Sequence, residues 1–91
     1  MKIVCNWVKN KNGNAIKEGN ILKINAKGAY YISGGIYQNG LPVLAIVGLG
    51  SSAEIKVHRK NKSLKGKCIL KIRAFDKYFK GSGIDDIFEV I

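Results

Sequence analysis

Apolar and polar residues alternate with a period of two along most of the chain. The clearest runs are residues 53–60 and 67–76, and residues 21–27 place Leu22, Ile24 and Ala26 on one face. Such alternation is typical of strands that bury one face. The breaks between runs contain Gly and Asn, and the chain has one Pro. The pattern therefore predicts an antiparallel all-β protein.

Three Gly- or Asn-containing segments predict how the strands are connected. Residues 10–14 are Asn-Lys-Asn-Gly-Asn, and this cluster predicts a turn because Asn and Gly tolerate positive φ. Asn39-Gly40 lies between apolar flanks and predicts a tight hairpin with a type I′ turn. Gly34-Gly35 interrupts the run of residues 29–37, which predicts a bulge or a sharp bend inside a strand.

Residues 41–47 are apolar on both alternating phases. A strand of this kind is either covered on both faces or gives one face to a partner. The segment is therefore a possible homo-oligomer interface.

The C-terminal segment fits two structures. Ser82 and Asp85 have the spacing of a helical capping box, and Ile84, Ile87 and Ile91 would share a helical face. A helix so short and rich in β-branched residues is marginal, whereas residues 86–91 alternate as a strand. We expect a strand.

Both ends of the chain resemble bacterial immunoglobulin-like domains, as found in invasin-like adhesins and phage virion proteins. Residues 66–76 alternate and end in Ala74-x-Asp76, and a glycine-containing loop then leads to Phe88-x-Val90, similar to the last two strands of these domains. The first 24 residues are similar to their first strands. The resemblance implies one immunoglobulin-like β-sandwich domain of about seven antiparallel strands over residues 1–91, and a small β-barrel is the alternative.

The resemblance also bears on whether the chain has a disulfide bond and whether it binds a metal ion. Cys5 lies on the first strand, so the usual disulfide between sheets is not implied. Some related domains bind calcium, for which Asp76, Asp85 and Asp86 could supply oxygens, although Lys77 and Lys80 nearby would repel the ion. We expect no metal or other cofactor.

Charge is the most unusual property of the composition. The chain has 91 residues, 16 of them basic and 6 acidic, for a net charge of +10. Residues 1–75 hold 14 basic and 2 acidic residues, whereas residues 76–91 hold 2 basic and 4 acidic ones. Such a field attracts nucleic acid, acidic protein, acidic glycan or anionic lipid.

The longest unbroken apolar run, residues 43–47, is far shorter than a membrane-spanning helix requires. No secretory signal is recognisable, so we expect a soluble chain without membrane insertion. It would be cytoplasmic if full length, and at a virion or cell surface if part of a larger protein. Cys5 and Cys68 both lie on the apolar phase of their strands, which fits two buried thiols or a disulfide.

Candidate chemistry is sparse. His58 lies on the outward phase beside Arg59 without an orienting carboxylate, and both thiols point inward on this phasing. Asp85 and Asp86 would face opposite ways on a strand. The sequence therefore predicts no enzyme activity.

Outward-facing basic and aromatic residues are the candidate binding site. A solvated lysine-bearing face that discourages edge aggregation is the other interpretation. Tyr30, Tyr31 and Tyr37 fit either core packing or a tyrosine-rich contact patch, and Trp7 fits the core. The candidate residues are Lys23, Lys27, Tyr31, Lys56, His58, Lys60, Lys71, Arg73 and Phe75.

Two functions fit this surface. The first is a non-catalytic binding or structural module of a virion or cell-surface assembly, as in adhesion, that presents a basic surface to a protein or acidic glycan. The second is a stand-alone basic protein, for instance one encoded by a phage, that binds nucleic acid, a nucleotide or an acidic host protein as an inhibitor. The basic set comprises 14 Lys and 2 Arg, which counts against bidentate phosphate recognition.

Overall fold

The computed structural model describes residues 2–8, 16–58 and 63–91, with residues 6–8 described by their backbone alone. Every regular element in these ranges is a β-strand, and no helix among them is long and apolar enough to cross a membrane. The predicted turn cluster at residues 10–14 and the side chain of Trp7 lie outside this description. The strands are β1 Ile3–Val8, β2 Ile21–Ala26, β3 Tyr31–Gln38, β4 Leu41–Leu49, β5 Ser52–Lys56, β6 Gly66–Phe75 and β7 Gly81–Val90.

The strands form two antiparallel sheets rather than a closed barrel. One sheet has the order β1-β2-β5 and the other the order β4-β3-β6-β7. Grouping β1, β2 and β5 against β3, β6 and β7 is the partition of immunoglobulin-type sandwiches. The predicted sandwich of about seven antiparallel strands is therefore confirmed, as is a strand at the C-terminus, although β7 begins earlier than the predicted residue 86.

The core lies between the sheets and follows the predicted alternation. On β6, Cys68, Leu70, Ile72 and Ala74 are buried while the residues between them face outward. Full burial of a large aliphatic side chain contributes roughly 1.5–3 kcal/mol, which makes this strand central to stability. The other fully buried large side chains are Leu22, Ile24, Ile32, Ile36, Ile46, Val57, Leu64 and Val90.

The glycine pair of β3 serves close approach between strands. A Cβ atom on Gly34 would lie 2.0 Å from the carbonyl oxygen of Lys71, and one on Gly35 would lie 2.5 Å from that of Leu44. The register between β3 and β4 shifts after Ile36, and the extra residue, Val43, lies on β4. The bulge predicted at Gly34-Gly35 is therefore not found there.

The β3–β4 hairpin confirms the turn expected at Asn39-Gly40. Both residues have positive φ, 53° and 79°, as a type I′ turn requires. Gln38 and Leu41 close the hairpin as a pair. This turn lies at the end of the sandwich where β3 finishes.

Glu18 connects the segment before β2 to the segment before β6. Its carboxylate accepts hydrogen bonds from the backbone N–H of Leu64 and from Ser63 Oγ, the latter at 3.0 Å. These bonds, above all the one from Leu64, lower the pKa of the Glu18 carboxyl.

We expect Glu18→Gln to lower the stability of the fold at neutral pH and to leave it nearly unchanged in acid. A lowered folded-state pKa means that the stabilisation is present above the ordinary glutamate pKa and is lost as pH falls through the folded-state value. Urea unfolding at a series of pH values should show a gap between the wild type and Glu18→Gln at neutral pH that closes on acidification. A gap independent of pH would contradict this role of the charge.

Candidate functional site

The basic residues predicted to bind do not lie together. Lys23 and Lys56 are exposed on the outer face of the three-stranded sheet, where Glu54 lies directly opposite Lys23 on β5. Lys27 is in the turn after β2, His58 is exposed after β5, and Lys60 lies outside the described residues. The remaining candidates, Tyr31, Lys71, Arg73 and Phe75, share the outer face of the four-stranded sheet.

Two aromatic rings stack on this outer face. The ring centroids of Tyr31 and Phe75 are 4.9 Å apart with an interplanar angle of 20°. Gly81 lies opposite Phe75 on β7, and a Cβ atom there would lie 2.8 Å from the Phe75 ring. Because Gly81 has no side chain, the Phe75 ring can lie over it on the outer face of the sheet.

The cations of the same face have partners within it. Arg73 Nη1 lies 3.0 Å from Asp85 Oδ1, and Gly83 leaves room for the guanidinium to reach it. Lys71 Nζ lies 5.2 Å from the centroid of the Tyr37 ring, within range of a cation–π contact. Because the charge of Arg73 is paired with that of Asp85, this face attracts anions less strongly than the sequence suggested.

None of the three tyrosines around the glycine pair belongs to the core. Tyr31 and Tyr37 are half-buried on the outer face, and Tyr30 is 66% exposed. The core-packing interpretation is therefore wrong for them, and the contact-patch interpretation agrees with their positions.

Three connections meet at the end of the sandwich opposite the Asn39-Gly40 turn. They are the β2–β3 turn, the β4–β5 turn and the β6–β7 hairpin, and we call this region the loop end. Tyr30 joins them, because its N–H donates to Phe75 O at 2.6 Å and its carbonyl accepts from Gly50 N at 2.7 Å. The three connections are thus held together by backbone hydrogen bonds.

The β6–β7 hairpin has a three-residue loop held by Asp76. The N–H of Asp76 donates to Lys80 O, and Phe79 N donates back to Asp76 O. The Asp76 carboxylate accepts from the N–H groups of Tyr78 and Lys80 at 2.8 and 3.0 Å. These bonds, both to Asp76 Oδ1, fix the tip of the hairpin.

Phe79 occupies the left-handed position of this hairpin. Its φ is 62°, where a three-residue loop ordinarily has a glycine. For a bulky side chain this conformation is an outlier that costs roughly 1–2 kcal/mol. The strain is not offset by burial, because Phe79 is 76% exposed.

Exposed apolar side chains and lysines cluster at the loop end. Leu49 is 90% exposed and Tyr78 is 70% exposed, beside Tyr30 and Phe79. The exposed lysines of the same connections are Lys27, Lys77 and Lys80.

The sequence indicates Tyr30 as a candidate for a contact patch, but it does not indicate Leu49, Tyr78 or Phe79. The signal was available in part, since residues 76–81 place two adjacent aromatics in a turn. The left-handed conformation of the second aromatic required the hairpin geometry. The candidate functional site is therefore the loop end, with the Tyr31–Phe75 pair beside it.

Groups that could support catalysis or metal binding are dispersed. Within the described part of the chain, no three His, Cys, Asp or Glu side chains gather to hold a metal ion. Both thiols are free, with Cys68 buried and Cys5 half-buried. Burial raises the pKa of both, assisted at Cys5 by the charge of Asp86, so both disfavour the reactive thiolate.

Comparisons of the chain with protein-family models, with curated proteins and with solved structures find no match.

Proposed function

We propose that this protein is a non-catalytic binding module that attaches to an acidic protein surface through its loop end, within a virion or cell-surface assembly. The observation that carries the proposal is Phe79, a largely exposed aromatic residue at a left-handed position of the β6–β7 hairpin. Strained residues of this kind cluster at binding sites, where the local cost is offset by function.

The residue types of the loop end suit protein recognition. Tyrosine and phenylalanine provide large, rigid contact areas at low cost in conformational entropy. The corresponding end of immunoglobulin-type sandwiches carries the loops with which antibody variable domains bind antigen. The hydrogen bonds around Asp76 and Tyr30 hold the tips in place before binding, which reduces the entropic cost of association.

Charge selects the class of partner. Lys27, Lys77 and Lys80 surround the exposed rings, and the carboxylate of Asp76 is engaged within its own hairpin. The lysines would steer an acidic partner toward this end, and the apolar side chains would supply the buried contact. The resemblance to immunoglobulin-like domains of adhesins and virion proteins supports the assembly context.

Photo-crosslinking tests the proposal. The photoreactive amino acid p-benzoylphenylalanine placed at position 79 should crosslink to an acidic protein in the native assembly, and the product should disappear with Lys77→Glu/Lys80→Glu. The same amino acid at position 23, on the outer face of the opposite sheet, is the matched control. Equal yields of crosslinked product from both positions would contradict the proposal. A crosslinked product with heparin but with no protein would also contradict it, because it would indicate a glycan partner.

Nucleic acid is the second candidate, favoured by the stacked Tyr31–Phe75 pair next to Lys71 and Arg73. Stacked rings beside cations suit bases and phosphates of a single strand. Binding to a labelled single-stranded oligonucleotide should then fall steeply with salt, and Lys71→Glu should reduce the slope by about one. Absence of binding at ~50 mM salt, where phosphate contacts are strong, would remove this candidate.

A further inference from the structure

Strand β4 forms one edge of the four-stranded sheet, and β3 is its only partner among the described strands. Its nine residues, Leu41–Leu49, include no charged side chain, although 24% of the residues in the chain are charged. Val47 is 77% exposed on its outer face, and Leu41 and Leu49 are also exposed. β4 is thus a long apolar strand, one edge of which meets no other strand in the described ranges.

The other edge strands differ from β4. β5 has five residues, among them Glu54 and Lys56, and β7 carries Asp85, Asp86 and Glu89. β1 has six residues, which makes it shorter than β4. Charges and short length are the devices by which proteins prevent edge-to-edge pairing. On β4 the devices of this kind are Pro42 and the bulge at Val43, and both lie near the beginning of the strand, which leaves residues 44–49 without one.

Charge indicates which molecule could cover this edge. Two chains of net charge +10 repel each other over most of their surfaces. An uncharged strand is the surface at which two copies approach with the least repulsion. An acidic partner, in contrast, would be attracted to the lysines and not to β4.

We propose that two copies of this chain associate through β4, paired antiparallel about a two-fold axis near Ala45. Such a contact is self-complementary, because the same residues meet from both sides. It places Val47 of one copy opposite Val43 of the other and joins the two four-stranded sheets into one of eight strands. Backbone hydrogen bonds and the exposed apolar side chains of β4, Leu41, Val47 and Leu49, hold the pair.

The geometry has a consequence for the loop ends. Because β4 runs toward the loop end, an antiparallel pair directs the two loop ends in opposite directions. The dimer would therefore connect two partners, one at each loop end, rather than bind a single surface through both loop ends. This extends the proposed binding function without depending on it.

Sedimentation velocity of the full chain over a range of protein concentrations tests the pairing. We expect a monomer–dimer equilibrium that strengthens with salt, because salt screens the repulsion between copies while the contact itself is uncharged. Val47→Lys should weaken dimerisation about tenfold or more, since a lysine then replaces the apolar contact with Val43 of the other copy and adds positive charge to two chains that already repel each other.

Ile87→Lys is the matched control, because Ile87 is a similarly exposed apolar residue on the opposite edge strand of the same sheet. It should dimerise like the wild type, and so should Phe79→Gly. A wild-type chain that stays monomeric at high salt and high concentration would overturn the proposal. Equal dimerisation of Val47→Lys and the wild type, with both folded by circular dichroism, would overturn it as well.

Discussion

Gly34→Ala is expected to cost about 3 kcal/mol or more of folding free energy, a large part of the about 5–15 kcal/mol that stabilises a small domain. The added Cβ would lie 2.0 Å from the carbonyl oxygen of Lys71 and 3.1 Å from the Cα of Ile72. Both atoms belong to the backbone of β6, so the clash cannot be relieved by a side-chain rotation. The φ of 146° adds strain for any residue with a Cβ.

Gly40→Ala separates the two causes. Gly40 also has a positive φ, 79°, but a Cβ atom there meets nothing within 4 Å. This variant should lose only about 1–2 kcal/mol, the cost of the left-handed conformation. Urea unfolding of both variants measures the difference, and equal losses would show that the clash at β6 contributes little.

The positions of the strands were predictable because buried and exposed residues alternate along them with a period of two. On β2 and β6 each inward residue is apolar and most outward ones are polar, so alternation located both strands. Asn39-Gly40 was predictable for a similar reason, since few other residues accept positive φ at two successive positions.

Two features depended on neighbours that the local sequence does not name. The glycine pair of β3 predicted a bulge, whereas the actual requirement is the backbone of β4 and β6 on either side. The basic surface was predicted from outward phase alone. The partners that reduce its charge, Asp85 for Arg73 and Glu54 opposite Lys23, lie on neighbouring strands and depend on the register in which the strands pair.

The loop end was also predictable only in part. Its members Tyr30, Leu49 and Phe79 lie in or directly beside three connections that are brought together only by the order of the strands. A sandwich of the predicted class places alternate connections at one end, so the grouping could have been anticipated. The exposure of each side chain and the strain at Phe79 could not.

Phe79→Gly is expected to raise stability while it lowers partner binding. Removing the left-handed strain returns about 1–2 kcal/mol, and the flexibility of glycine takes back about 0.5–1 kcal/mol. The net gain of about 0.5–1 kcal/mol corresponds to a rise in Tm of about 2–8 °C for a chain of this size. The ring contributes little to folding, because most of it is exposed.

Two variants make this prediction specific. Phe79→Ala removes the ring but keeps a Cβ in the left-handed conformation, so it should lose binding without the gain in Tm. Tyr78→Gly lies next to it at a residue without positive φ, and should lower stability by about 0.5–1 kcal/mol. Thermal unfolding and crosslinking from position 30 at the same loop end measure the two properties together. A fall in Tm for Phe79→Gly would show that the hairpin is not strained at this residue. Unchanged crosslinking would show that the exposed ring serves no partner, whereas opposite changes in Tm and binding would mark Phe79 as a residue retained for binding at the expense of stability.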